Sequence, residues 1–333
     1  MPTNLPPDYV HAEKRYREAQ TPAEKVACLE EMISIVPKHK GTDKLRADLR
    51  RQLSRLKDEA QAARKKAGGH ASAFNIDREG AGQAMLMGAA NAGKSALVKA
   101  LTNADPEVSP APFSTWKPTP GMMPFEDIQI QLVDTPPLDG EYVEPVLFDL
   151  ARRTDIVLLV VDLRADPIKQ METSMEVLEK HRLAPIQRRE GWSDEQRTVL
   201  KPFIVLANKC DDESMDEVYE LFRELCHDLR GGDCEHIPIS AAKGRYFNIF
   251  KRMVYEKLGI LRVYAKPPGK DPDLERPFVL KQGSTVMDLA GMVHRDFYEN
   301  LKSARVWGSS TFDGQMVTRD YILKEGDIVE LRA

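Results

Sequence analysis

Residues Gly88 to Ser95 read GAANAGKS and fit the spacing G-x-x-x-x-G-K-[S/T]. The glycines let such a loop wrap closely round an anion, and its successive N–H groups, with those opening the next helix, point at phosphate oxygens. Gly88, Asn91, Ala92, Gly93, Lys94, Ser95 and the following Ala96 are therefore candidate phosphate-binding residues. Lys94 would reach the β- and γ-phosphates of a nucleoside triphosphate, and the Ser95 hydroxyl would ligate Mg²⁺. An apolar run, QAMLMG, precedes the loop and a helical pattern, ALVKAL, follows it, which is the context this chemistry needs.

Two other stretches carry chemistry. Asn208-Lys209-Cys210-Asp211 closes the apolar run PFIVLA. The Asp211 carboxylate can accept from the N1–H and the exocyclic amine of guanine. Adenine offers no such pair of donors, so its binding would leave a buried carboxylate unpaired. The stem of Lys209 can lie over the base plane, and backbone N–H groups of Ser240, Ala241 and Ala242, after the run HIPI, can meet the guanine carbonyl. In LVDTPPL, Leu132–Leu138, Asp134 ends another apolar run, a position that serves ligands or metals in α/β sheets.

These residues need strands to end where they stand. The apolar runs at 83–88, 128–134, 155–162, 202–208 and 236–240 alternate with helical segments, which predicts an α/β region over residues 80–260 with a mostly parallel sheet. Residues 1–70 read as a basic helical hairpin. Thr21-Pro22-Ala23-Glu24 forms a capping box, Val26, Leu29, Met32 and Ile33 share a face, and Pro37 ends the helix. Leu45, Leu49, Leu53 and Leu56 then line a second one. Residues 261–333 predict a small α+β domain. LRVYA, FVLK, ARVWG and DIVELR are short strands, and one helix, capped by Thr285 and Asp288, presents Val286, Leu289, Val293 and Phe297.

The 333 residues carry a net charge of −4, so no global basic field points to DNA. A local one exists, with 11 Lys/Arg against 4 Asp/Glu between Lys38 and Lys66; it suits either RNA phosphates or a solvated helix face. Cys28, Cys210, Cys226 and Cys234 have no zinc-like spacing and read as reduced thiols. The N-terminus lacks the apolar core of a signal peptide, and IVLLVV, the longest aliphatic run, is too short to span a bilayer. A cytoplasmic protein without membrane contact is expected.

Together these motifs resemble a TRAFAC-class GTPase of the Obg group, with its developmentally regulated GTP-binding branch. Phe113–Gly121, FSTWKPTPG, is similar to that group's switch I motif. VYAKPPG (263–269), GSTVMDLAGMVHRDF (283–297), ARVWGSS (304–310) and LKEGDIVEL (323–331) look like its TGS domain, a β-grasp-like fold associated with RNA- and ribosome-linked proteins. The resemblance covers about 80–333. No glycine-rich Obg domain precedes the phosphate loop, and no domain is inserted between Asp134 and Asn208, where only an elaborated loop at 181–200 fits.

The resemblance implies a P-loop GTPase domain binding GTP/GDP with Mg²⁺. Ser95, Thr115 and Asp134 serve the metal, with Thr119 as the alternative to Thr115. Leu138 stands where many GTPases carry a water-orienting Gln. Pro137 replaces the D-x-x-G glycine, whose N–H meets the γ-phosphate. Lys94, Thr115 and Asn91 are then the candidate catalytic residues. An Asn at position 91 coordinates K⁺ in potassium-activated relatives, and stabilising the loop is its other role. Trp307 and Tyr264 either stack on bases or pack the TGS core. The expected function is a slow GTPase acting as a ribosome- or RNA-associated switch. The alternative is a nucleotide-dependent RNA- or protein-binding module with little or no turnover.

Overall fold

A computed structural model describes residues 15–16, 28–29, 32–33, 35–36, 49, 74, 76–103, 117–140, 143–188, 198–227, 229, 233–310 and 312–332. The chain divides into two compact units, 1–73 and 74–333. In the first, Leu29, Met32, Val36 and Leu49 form a buried cluster, with Tyr16, Ile33 and Ile35 packed against it. Leu29, Met32 and Ile33 come from the first apolar stripe expected there, and Leu49 from the second. The hairpin itself lies outside the described residues, as does the basic run apart from Leu49.

The second unit begins with β1 (Gln83–Gly88), α1 (Lys94–Leu101), β2 (Thr119–Phe125) and β3 (Ile128–Asp134). It continues through α2 (Pro145–Arg153), β4 (Ile156–Asp162), α3 (Pro167–Lys180), β5 (Leu183–Pro185), β6 (Val199–Lys201), β7 (Phe203–Asn208), α4 (Glu213–Cys226), β8 (Glu235–Pro238) and α5 (Phe247–Leu258). Strands β2-β3-β1-β4-β7-β8 form one sheet, parallel throughout except for the β2–β3 pair. Every residue of β1, β4 and β7 is buried, as a parallel strand covered on both faces requires. β1 lies between β3 and β4, so the chain reverses its direction of travel across the sheet there. Such a switch point opens a ligand crevice at the carboxyl ends of the strands.

Strand β2 is not among the runs expected from the sequence. Its composition, TPGMMPF, hides it, because Pro120, Gly121 and Pro124 are poor strand residues. It exists because it is an edge: proline is tolerated where one side of the strand makes no ladder. The loop expected at 181–200 contains β5 and β6, paired parallel to each other.

The remaining elements are β9 (Ile260–Ala265), β10 (Phe278–Lys281), α6 (Val286–Val293), α7 (Arg295–Asn300), β11 (Ser303–Trp307), β12 (Gln315–Val317) and β13 (Asp327–Arg332). They build a mixed sheet in the order β10-β9-β13-β11-β12, with β9 parallel to β13 and Val286, Leu289 and Ala290 buried against it. The expected capping box is present, Thr285 accepting from Asp288 N and Asp288 from Thr285 N. The single expected helix is two. His294 turns extended, and its ring accepts from Asp296 N, which starts α7.

Along β9, Val263 faces the core and the neighbouring positions face outward. Tyr264 stands outside the buried cluster of this sheet, and its hydroxyl donates to Asp127 at 2.7 Å. Trp307 is half-buried under the Lys266 ammonium, 5.3 Å from the ring centroid. Arg262 joins the two sheets. It donates to Asp127 at 2.5 Å and to Glu325 at 2.7 Å, pairs with Glu126, and lies 5.3 Å over the Tyr255 ring. Tyr255 also stacks on Phe125 at 5.0 Å, next to the β2–β3 turn.

Burial alone would raise the Asp127 pKa, but the bonds from Tyr264 and Arg262 outweigh it and hold the carboxyl below its usual range. A depressed folded-state pKa contributes stability above the unfolded value of about 3.9 and loses it as pH falls through the folded one. Asp127→Asn should lower the thermal midpoint at pH 7 by about 2–6 °C, for a charged hydrogen bond worth ~1–2 kcal/mol. The gap between variant and wild type should close below about pH 4. Melting curves from pH 3 to 8 check both; a gap independent of pH would refute the role of the charge.

Candidate functional site

The chemistry-bearing residues stand at the carboxyl ends of five adjacent strands. The phosphate loop follows β1, Asp134 ends β3, Asp162 ends β4, Asn208 ends β7, and Ser240 follows β8. Two glycines of the loop are obligatory. A Cβ on Gly88 would meet Val160 O at 2.3 Å, and one on Gly93, at φ 96°, would meet the Asn208 amide nitrogen at 2.1 Å. Asn91 sits at φ 57°, a left-handed conformation that Asn tolerates better than most residues, so backbone geometry alone accounts for the residue type.

Lys94 opens α1 and turns back over the loop, donating to Gly88 O at 3.0 Å and Ala89 O at 2.7 Å. Burial pushes its pKa down to about 8, against the opposing pull of Asp134 and Asp139. Ser95 Oγ donates to Asp134 Oδ2 at 2.5 Å, and Thr135 N donates to Asp134 Oδ1 at 3.0 Å. A hydroxyl and a fully buried carboxylate thus meet beside the phosphate loop. These are hard oxygen donors of the kind Mg²⁺ takes, and the ion usually completes its shell with water and substrate phosphates. Among the described residues no group of three or more His, Cys, Asp or Glu converges. A site of this type needs none, so the residues fit the metal.

Asn208 links the phosphate loop to the other motif. It is buried; its Nδ2 donates to Ala92 O at 2.8 Å, and its Oδ1 accepts from Ala241 N at 3.3 Å. Asp211 accepts from Ser240 Oγ at 2.5 Å and pairs with Arg164 at 2.6 Å. Lys209, at φ 68°, pairs with Asp162 at 2.5 Å. Cys210 points the other way, toward Asp216 at 3.1 Å; burial pushes its thiol up to about 12, so it is not a nucleophile. All four cysteines are free thiols, as expected.

The structure therefore brings together Gly88 to Ala96, Asp134, Asn208, Lys209, Asp211 and Ser240 to Ala242 at one end of the sheet. Thr115 and the rest of 104–116 lie outside the described residues. Thr119, the alternative ligand, is the first residue of β2 and pairs in register with Asp134, though its hydroxyl donates to Lys117 O at 3.4 Å. Leu138 is buried and its N–H donates to Gly88 O at 3.1 Å, so the loop after Asp134 lies on the phosphate loop. Three residues were not singled out from the sequence: Asp162, Arg164 and Asp139. Asp162 carries the same signal as Asp134, a carboxylate closing an apolar run. Asp139 accepts from Ala90 N at 2.8 Å.

Comparison with known proteins agrees with this geometry. A family described as "50S ribosome-binding GTPase" matches residues 83–209, and the TGS domain family matches 261–333. An uncharacterised GTP-binding protein of Methanocaldococcus jannaschii is 28% identical, with 92% of each chain covered. Ribosome-interacting GTPase 1 of Saccharomyces cerevisiae is 23% identical over 93% of this chain and 99% of its own. The YchF GTPase of Schizosaccharomyces pombe shares the fold, with a TM-score of 0.53 over 77% of this chain and 99% of its own at 14% identity. With its phosphate loop, its Asn208–Asp211 motif and its C-terminal region, the chain is similar over most of its length to the developmentally regulated kind of GTP-binding protein, and it carries a GTPase-family segment at 83–209 and a TGS-family segment at 261–333.

Proposed function

We propose that the protein is a Mg²⁺-dependent GTPase of slow intrinsic rate that works as a cytoplasmic, ribosome- or RNA-associated switch. On this reading the chain comprises a basic helical leader (1–70), a GTPase domain (80–260) and a TGS domain (261–333). The observation that carries nucleotide binding is the Asn208 side chain, bonded at once to the phosphate loop and to the loop after β8, with Asp211 beside it. That arrangement supports reading the loop as an anion nest and Asp211 as a base-reading carboxylate on the same edge of the sheet. Ser95 and Asp134, with Thr115, would hold Mg²⁺, which neutralises charge on the transferring phosphoryl group. Lys94 would bind the β- and γ-phosphates.

A ribosomal or RNA partner is supported by the family description "50S ribosome-binding GTPase", by the name of the yeast relative and by the basic run at 38–66. Contacts between that run and phosphates would be salt-dependent. No helix among the described residues is long and apolar enough to cross a membrane.

The second reading, a binding module with little turnover, is favoured by the loop after Asp134. Leu138 is buried and its N–H is engaged by Gly88, and Pro137 has no N–H to offer. Under the first reading, K⁺ at Asn91 would supply the positive charge that this loop does not.

Three outcomes are expected. Asp211→Asn should shift preference from guanosine to xanthosine nucleotides by roughly 100-fold or more, read by competition binding; unchanged GTP affinity would refute the assignment of Asp211. Single-turnover hydrolysis should run roughly tenfold faster in K⁺ than in Na⁺ at matched ionic strength, and equal rates would remove Asn91 from the mechanism. Co-sedimentation with ribosomal subunits should depend on the bound nucleotide and weaken with salt. Retention irrespective of nucleotide would argue against a switch.

A further inference from the structure

The loop between Asp134 and Gly140 has few polar groups with which to sense a third phosphate. Thr135 donates its hydroxyl to Leu86 O at 2.5 Å, Pro136 and Pro137 have no N–H, and Leu138 gives its N–H to Gly88 O. Asp139 remains. Its side chain is exposed to solvent, and Oδ1 accepts from the phosphate-loop amide of Ala90 at 2.8 Å. It also lies within electrostatic reach of the Lys94 ammonium. A carboxylate of the protein's own thus sits on an amide of the anion nest, beside the lysine that a terminal phosphate requires.

We propose that Asp139 discriminates GTP from GDP by repulsion, and so replaces the missing glycine N–H that would discriminate by attraction. This rests on the nucleotide-site reading above. GDP ends at the β-phosphate and leaves Asp139 on Ala90. The γ-phosphate brings further negative charge to Lys94, and two anions cannot share one nest without a large Coulomb cost. Asp139 leaves, and the segment loses one of its two ties to the phosphate loop, keeping only the Leu138 N–H on Gly88 O. A cavity of about 340 Å³, lined by Ala89, Leu138, Asp139, Asp166, Lys169 and Gln170, lies beside the contact. It offers the displaced carboxylate both room and a cation at Lys169, although Asp166 stands there too and accepts from the Lys169 amide as the cap of α3. Expulsion opposes GTP binding, so the device makes the loop responsive at the expense of affinity for the triphosphate.

The test compares affinities for GDP and for the β,γ-imido analogue of GTP, both with Mg²⁺, in the wild type and in Asp139→Asn, Asp139→Ala and Asp139→Glu. Asn keeps an oxygen that can accept from Ala90 and removes only the charge; Glu keeps the charge. The Asn and Ala variants should bind the GTP analogue about tenfold tighter while GDP affinity stays within about twofold. The Glu variant should keep the wild-type ratio. In wild-type protein, hydrogen exchange at Leu138–Gly140 should rise on exchanging GDP for the analogue, and in Asp139→Asn it should not change. An unchanged ratio of affinities, or an equal shift for both nucleotides, overturns the proposal. Weaker binding of the analogue by Asp139→Asn also overturns it and makes Asp139 a partner of the terminal phosphate or its attacking water. Wild-type protein that binds neither nucleotide would overturn the nucleotide-site reading itself.

Discussion

One buried amide fixes the geometry of the whole crevice. Asn208 lies at the end of β7, holds Ala92 of the phosphate loop with its nitrogen and takes the N–H of Ala241 with its oxygen. Three loops that are far apart in sequence thereby share one side chain with both ends satisfied. The demand runs back into the sequence. Gly93 must lack a Cβ because the Asn208 amide occupies that space, and Gly88 must lack one because Val160 of the next strand does. A buried polar group with a satisfied partner at each end specifies one arrangement, whereas an apolar side chain there would allow several.

Around that amide, the groups suited to reading a base are held in ion pairs. Asp211 is held by Arg164 and Ser240, and Lys209 by Asp162. Both cross-links come from the end of β4 and the turn after it. On the proposed reading, the carboxylate is oriented before a base arrives, which lowers the ordering cost of binding. On the same reading, a guanine taking both oxygens of Asp211 would have to share or displace the half-exposed Arg164, whose pair with the carboxylate is screened by solvent.

The parts legible in the sequence were those fixed by short-range rules. Glycine spacing gave the phosphate loop, near-continuous apolar runs gave β1, β4 and β7, the alternating IQIQLV gave β3, and Thr285 with Asp288 gave the cap of α6. Strand β2 escaped because its prolines are tolerable only at an edge, and edges are decided by the sheet rather than by the strand. Asp139 and Arg164 escaped for a related reason. Each is an ordinary loop residue until the fold carries it against Ala90 or Asp211. The extra break at His294 is an extended residue whose ring caps the next helix, which helical periodicity does not register.

The β2–β3 hairpin has a mechanical meaning. At its open end, Thr119 pairs with Asp134, the carboxylate that meets Ser95; at its closed end, Glu126 and Asp127 are gripped by Arg262 of the C-terminal domain. Seven residues per strand make a ladder of about 23 Å. Sliding one strand along the other by a single residue would turn every inward side chain outward, so the ribbon resists internal slip. Its two ends are therefore not independent. A tilt imposed at the phosphate end must either carry Arg262 with it or break the bonds that Arg262 makes, which gives the two sheets a common lever with a charged hinge.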